Sequence, residues 1–316
     1  MRTGLLLIMV FAITLAGCSK ESGLPAVDVT DVVVSASLQM DDTRAVIDGD
    51  GAGTGIDNWV IEVRDVLQPD VIYFHDSKSG EKGVHTQTFD LVLVKNHTYD
   101  IAFWADAKGS YNVSNLKNVS FSDISKIGNA DTLDAFFTCK QFTADGTASM
   151  TAKLYRPFAQ VNVITTDLPA FKSGSTDAAY ASYKPCNFSF KTTLPTKFNA
   201  FTGEAGTEQE VTINPVTPLD SCYGDYAAAA ENTTVYMVYV LANKNTTEAD
   251  VKDVRDIGFA FKSGNVDISY DFTSIPLKRN YRTNIIGKFL TNTTEWQVEV
   301  IPDWVNVIDT DASEQN

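Results

Sequence analysis

Apolar and polar residues alternate in short stretches along the whole chain. Tyr99, Ile101 and Phe103 are separated by Asp100 and Ala102, and Val235 to Leu241 is dense in β-branched and aromatic side chains. Successive side chains of a strand point to opposite faces, so this alternation predicts half-buried strands. The same signal predicts strands at Trp59 to Leu67, Thr86 to Val94, Ser149 to Tyr155, Ala159 to Thr165, Ile257 to Lys262, Val266 to Phe272 and Trp296 to Ile301. Polar, glycine-bearing segments such as Ser79-Gly80, Asp145-Gly146 and Ser263-Gly264-Asn265 separate them and read as turns, the last as a hairpin. Helical periodicity is nearly absent, and the clearest exception is a short helix over Ser122 to Lys126, opened by a Ser/Asp pair able to cap it. Short strands joined by polar turns predict an all-β chain of sandwiches, because each sheet must bury one face against another.

The run near the front is the most regular. Val32, Val34, Ala36, Leu38 and Met40 share one face, and Val33, Ser35, Ser37 and Gln39 share the other. Arg44-Ala45 follows in a polar, glycine-rich stretch open to a trypsin-like protease. A cut there would free the strand from the body of its domain. Its departure would leave an unpaired edge and an apolar groove, which another chain can fill by β-strand addition. A candidate donor is the segment in which Trp296, Val298 and Val300 alternate with Gln297 and Glu299, continued by Val305 and Val307 after Pro302. Permanent strands of ordinary sandwiches would show the same alternation.

The first residues combine Arg2, an apolar stretch from Leu5 to Leu15 and the tetrapeptide Leu15-Ala16-Gly17-Cys18. Together they read as a lipoprotein signal peptide over 1–17 with Cys18 as the acylated residue, the apolar stretch being too short to cross a bilayer. A lipidated linker, 18–27, then leads to a mature part whose length suits two domains. Pro157 interrupts a strand ladder, which divides the rest into an N-terminal sandwich, 28–157, and a C-terminal sandwich, 158–316, that carries the terminal candidate donor strand.

A net charge of -15 disfavours nucleic acid, for which a basic patch is needed, and suits a surface facing water. Cys139, Cys186 and Cys222 lack ligand spacing, so a metal is not expected; at most one disulfide can form, with Cys186 and Cys222 the candidate pair. The run from Asp48 to Gly53 opens like a calcium loop, but Trp59 stands where the bidentate Glu belongs. His75, His85 and His97 belong to no catalytic motif, and no nucleophile elbow, phosphate loop or dinucleotide fingerprint occurs. The sequence therefore predicts neither an enzyme nor a cofactor.

The order of several landmarks resembles the fimbrillin-like (FimA/Mfa family) lipoprotein precursors of Bacteroidetes type V pili. These are the lipobox at Cys18, Thr43-Arg44-Ala45, Asp134-Ala135-Phe136-Phe137, Leu154 to Ala159, and Pro276 to Asn284. The resemblance implies two transthyretin-like β-sandwich domains in tandem with short helices only. It implies export as a lipoprotein to the outer membrane, with palmitate-type acylation at Cys18, cleavage between Arg44 and Ala45 by an arginine-specific protease, and polymerisation with other pilus subunits by strand exchange. Arg156, Arg279 and Arg282 fall in the later landmarks and read as structural, the last two along a strand edge with acidic partners. The other reading is a non-polymerising, lipid-anchored binding protein or tip adhesin for a host or bacterial glycan or protein, motivated by Tyr180, Tyr183, Tyr223 and Tyr226 in loop-like sequence.

Overall fold

The structure, a computed structural model, describes residues 27–38, 55–128, 133–174, 188–213, 233–243, 253–263, 266–291 and 296–301. In chain order come β1 (Val29–Leu38), β2 (Asn58–Asp65), β3 (Phe74–Ser79), β4 (Thr86–Val94), β5 (Thr98–Asp106), β6 (Tyr111–Asn112), β7 (Val119–Phe121), β8 (Ala135–Thr143) and β9 (Ser149–Leu154). Then follow β10 (Phe158–Thr165), α1 (Leu168–Gly174), β11 (Phe188–Asn199), β12 (Glu204–Ile213), β13 (Thr233–Leu241), β14 (Asp253–Ser263), β15 (Val266–Leu277), β16 (Arg282–Gly287) and β17 (Trp296–Ile301).

These strands form four sheets. The first has the order β4-β1-β9, the second β3-β2-β5-β8, the third β15-β14-β11-β7-β6 with β12 also on β11, and the fourth β13-β10-β16-β17. The first sheet packs on one face of the second: Val32, Val34 and Ala36 meet a layer that includes Trp59, Ile61, Val63, Phe103 and Phe136. The opposite face of the second sheet, with Val60, Ala102, Trp104 and Phe137, belongs to a larger core shared with the third and fourth sheets. Trp104 lies 6.0 Å from Phe198, and Phe137 meets the same ring edge-on at 4.6 Å. Among the described residues the chain is thus all-β, two transthyretin-like sandwiches in tandem with short helices only, the second sheet being covered on both sides. The third sheet draws on residues either side of Arg156-Pro157, since β7 pairs β11 through Phe198 and Val119.

Local chemistry accounts for the irregular elements. The expected helix over Ser122 to Lys126 is a single 3-10 turn, Ile124–Lys126, capped by the Asp123 carboxylate, which accepts from Ser125 N. A helix the pattern does not announce, α1, begins next to Asp167. The buried Asp167 carboxylate accepts from Thr165 Oγ1, from Thr291 N at 2.8 Å and from Thr291 Oγ1 at 2.7 Å, tying the helix start to the turn after β16. Pro195 sits inside β11 opposite Glu208 of β12, in the stretch between Lys191, where pairing with β14 ends, and Lys197, where pairing with β7 begins.

Candidate functional site

β1 lies in the middle of its sheet, antiparallel to β4 from Val29↔Val94 to Ser37↔Thr86 and parallel to β9 from Val33↔Ser149 to Leu38↔Leu154. Removal of β1 would leave a slot with two unpaired rims, because a parallel neighbour occupies the side opposite β4. Val32, Val34, Ala36 and Leu38 all point inward and are buried, whereas Val33 is 47% exposed. Under the strand lie Phe89, Leu91 and Leu93 of β4, Ala152 and Leu154 of β9, and the face of the second sheet. The four inward side chains contribute on the order of 5 to 9 kcal/mol gross at the usual burial values. That is comparable with the net stability of a whole domain, so an empty slot is unfavourable and a replacement strand is strongly favoured.

Met40, Arg44, Ala45 and Cys18, and the Val305 and Val307 part of the candidate donor, lie outside the described residues, as do Cys186, Cys222, the run from Asp48 to Gly53 and the four loop tyrosines. Within the described part of the donor segment, β17 is the outer strand of the fourth sheet and, among the described residues, pairs only β16, from Arg282↔Ile301 to Gly287↔Trp296. Trp296 is 39% exposed and meets Phe272 edge-on at 5.1 Å, while Val298 and Val300 are half-buried. This strand is held on one side, with less apolar burial than β1, and is the easier of the two to detach.

The later landmarks converge where the two sandwiches join. Arg156 donates to Asp134 through Nε at 2.7 Å and Nη2 at 2.5 Å, with both side chains buried, and its guanidinium stacks 4.5 Å above Phe136. Arg279 stands 5.2 Å over Phe137 and donates from Nη1 to Gly203 O at 2.9 Å. Gly203 has φ +70, a conformation that favours glycine, and a Cβ there would come 3.2 Å from Arg279 Nη1, so the guanidinium would have to shift slightly. Arg282 pairs in register with Gln160, whose N–H donates to Tyr281 O. Sequence order brought these stretches to notice; only the fold shows that they share one junction.

A second buried group escapes the sequence pattern altogether. Glu62 and Arg64, two apart on β2, face the shared core and pair at 2.6 Å. Glu62 also accepts from Leu116 N at 2.9 Å and meets His75 Nδ1 at 3.1 Å, and Arg64 donates to Pro69 O and Asn115 Oδ1. Burial alone would raise the Glu62 carboxyl, but the bonds from His75, Leu116 and Arg64 outweigh it and hold it below the usual range.

Asp106 behaves in the opposite way. Its carboxyl is buried and pushed up to about 7, by desolvation above all with the Asp57 charge adding, against the 2.6 Å bond from Asn58 Nδ2. Because the folded state holds this proton more tightly than the unfolded chain, Asp106 lowers stability as pH rises from about 4 to 7. At roughly 1.4 kcal/mol per pH unit, the loss approaches about 4 kcal/mol by neutrality. Asp106→Asn should melt higher than the parent at pH 8 and show no such gain at pH 4.5, which thermal unfolding at both values will check.

Among the described residues, no group of three or more His, Cys, Asp and Glu is placed to hold a metal ion. His97 pairs with Asp65 at 2.5 Å, His85 is half-buried, and Cys139 is a free thiol raised to about 12 by burial, with Asp100 adding. A pKa that high keeps the thiol protonated and unreactive at physiological pH.

Residues 59–315 match the model described as "Family of unknown function (DUF6562)". The chain belongs to this family. The DUF6562 match starts in β2, so β1 precedes it. No curated protein matches. Among solved structures, a DUF1812 protein of Bacteroides thetaiotaomicron, provisionally assigned to polysaccharide binding, superposes with a TM-score of 0.52 at 14% identity, covering 89% of this chain and 99% of its own. A fimbrial assembly protein of Parabacteroides distasonis follows at 0.46 and 15%, covering 86% and 96%. The Porphyromonas gingivalis tip fimbrial protein Mfa3, truncated at its C-terminus, gives 0.47 and 10%, covering 87% and 99%. The structural neighbours of this DUF6562 chain are thus fimbrial and adhesin proteins of Bacteroidetes.

Proposed function

We propose that this DUF6562 chain is a structural subunit of a cell-surface fimbria, a type V pilus, assembled by proteolysis-triggered strand exchange and contributing to adhesion. The observation that carries the reading is the position of β1. It is a central strand with a fully apolar inner face, and the chain leaves it at Leu38, six residues before Arg44. Cleavage after Arg44 by an arginine-specific protease converts β1 from a covalent part of the sandwich into a bound peptide. The slot then accepts a strand from another pilus subunit, for which the C-terminal segment from Trp296 through Val307 has the right alternation. Cys18 would carry the acyl chains that hold the precursor at the outer membrane until the cut releases it. No step of this scheme asks the chain to act as an enzyme or to hold a cofactor.

Arg44→Ala tests the reading. Surface-extracted parent should begin at Ala45 by mass spectrometry and run as a ladder of polymers, whereas the variant should keep its N-terminal segment and remain monomeric. Normal polymers from Arg44→Ala would remove the cleavage step.

The pairing of β17 within its own sheet favours a second reading, a tip adhesin. Such a subunit accepts a donor strand and keeps its own C-terminal strand at home. Terminal location by gold labelling, together with glycan-array binding, would select it over a stalk role.

A further inference from the structure

One loop presents apolar side chains that the core does not take. Between β2 and β3, Leu67 is 81% exposed, Val71 56%, Ile72 41% and Tyr73 42%. The loop is not left to solvent as a loose tip. Arg64 Nη1 donates to Pro69 O at 2.9 Å, Leu67 N to Asp65 Oδ1 at 2.8 Å, Val71 N to Gln68 O at 3.0 Å, Tyr73 N to Val63 O at 2.9 Å, and Lys117 Nζ pairs with Asp70 at 2.9 Å. A braced loop showing four apolar side chains has already met part of the ordering cost of a contact.

Its position says what that contact is. Tyr73 Oη donates to Val92 O at 3.2 Å, and Val92 is itself 53% exposed. Val66 N donates to Thr98 O, and Lys95 N to Asp28 O, so the loop shares one pole of the first sandwich with the start of β1. Val27 and Val29 there are 65% and 45% exposed. Several acids of this pole have a neighbour that donates to them: Asp28 has Lys95, Asp65 has His97 and Asp70 has Lys117, while Asp31, opposite Val92, is exposed. It is also the pole at which the chain arrives from Cys18, nine residues before Val27, a span of at most about 30 Å.

We infer that the pole formed by Leu67, Val71, Ile72, Tyr73, Val29 and Val92 rests on the lipid bilayer while the precursor is tethered through Cys18. The inference builds on the proposed lipidation and adds a second, weaker membrane signal. Stable membrane association generally combines two such signals, and the loop also fixes orientation. With this pole down, β1 runs away from the bilayer for about 30 Å at the strand rise. Leu38, and with it the chain leading to Arg44, then starts at the far end of the sandwich, clear of the headgroups and open to a protease.

The test uses residues 18–316 with Cys18→Ala, so that no acyl chain contributes, and phosphatidylcholine vesicles in a flotation assay. Weak flotation that falls about tenfold in Leu67→Ser/Ile72→Ser, at unchanged melting temperature, is expected. Flotation should weaken when anionic phosphatidylglycerol is added, since the chain is acidic. Absence of parent flotation, or equal flotation of parent and variant, overturns the inference. So does a variant that floats normally but self-associates less after cleavage, which would make the patch a subunit contact. Detergent-phase partitioning of the full chain against Cys18→Ala reads lipidation separately, so failure of the tether and failure of the loop are told apart.

Discussion

Asp134→Ala is expected to lower stability by about 3 to 5 kcal/mol, the cost of breaking a buried ion pair by removing one of its members. Asp134 and Arg156 are 4% and 3% exposed, and both oxygens of the carboxylate engage the guanidinium. Without Asp134, Arg156 keeps its stacking on Phe136 but loses the charge-assisted bonds made by its Nε and Nη2. For a protein of this size the loss amounts to a melting point roughly 10 °C lower. The double variant Asp134→Leu/Arg156→Met should recover most of it, since an apolar pair of similar volume needs no compensation. Calorimetry of the two variants distinguishes a pair that fixes the junction from one that adds net stability. If Asp134→Ala melted like the parent, the pair would be a surface contact in energetic terms.

The extent to which the fold can be read from the sequence depends on how many faces of each strand are buried. β1, β4 and β9 form a sheet with one face on the core and one toward water, and their alternation reads directly from the residues. β2 is buried on both faces along nearly its whole length, because the first sheet covers one side and the shared core the other. Its strand character is legible, but Glu62 and Arg64 read there as outward polar positions and are in fact inside. β12 shows the opposite failure, a polar ribbon beyond the core whose residues Glu208 to Glu210 are exposed, so that no apolar periodicity marks it. The helix α1 has few residues and is set by Asp167 and Pro169 instead of by a period.

The candidate site divides in the same way. The inward set from Val32 to Leu38 was legible because a two-residue period assigns faces without any knowledge of neighbours. That β1 is central was not legible, because the partner on its second side, β9, lies more than a hundred residues further along and pairs parallel. The detail matters for assembly. An edge strand can be peeled from one neighbour, whereas a central strand must part from two ladders at once, so in the proposed exchange the incoming strand would replace the outgoing one step by step. The same geometry would make the proposed product durable, because a donor in this slot would be gripped on both sides. The junction landmarks were legible only as landmarks, since Asp134 and Arg156 gain meaning when their side chains meet.

The position of β1 also allows it to be locked. Leu38 N donates to His85 O, which places the inward residues at hydrogen-bonded positions and leaves Ser35↔Thr88 as a non-hydrogen-bonded pair on the outer face. Such pairs have the closer Cα atoms, about 4.5 Å apart, and suit a cross-strand disulfide. Ser35→Cys/Thr88→Cys should therefore staple β1 to β4 under oxidising conditions without altering the apolar slot. Polymerisation of the protease-treated double variant, followed by size exclusion with and without reductant, is the most direct measurement. The account predicts monomer while the disulfide is intact and polymers at the parental rate once it is reduced; polymers forming equally well with β1 stapled in place would contradict it.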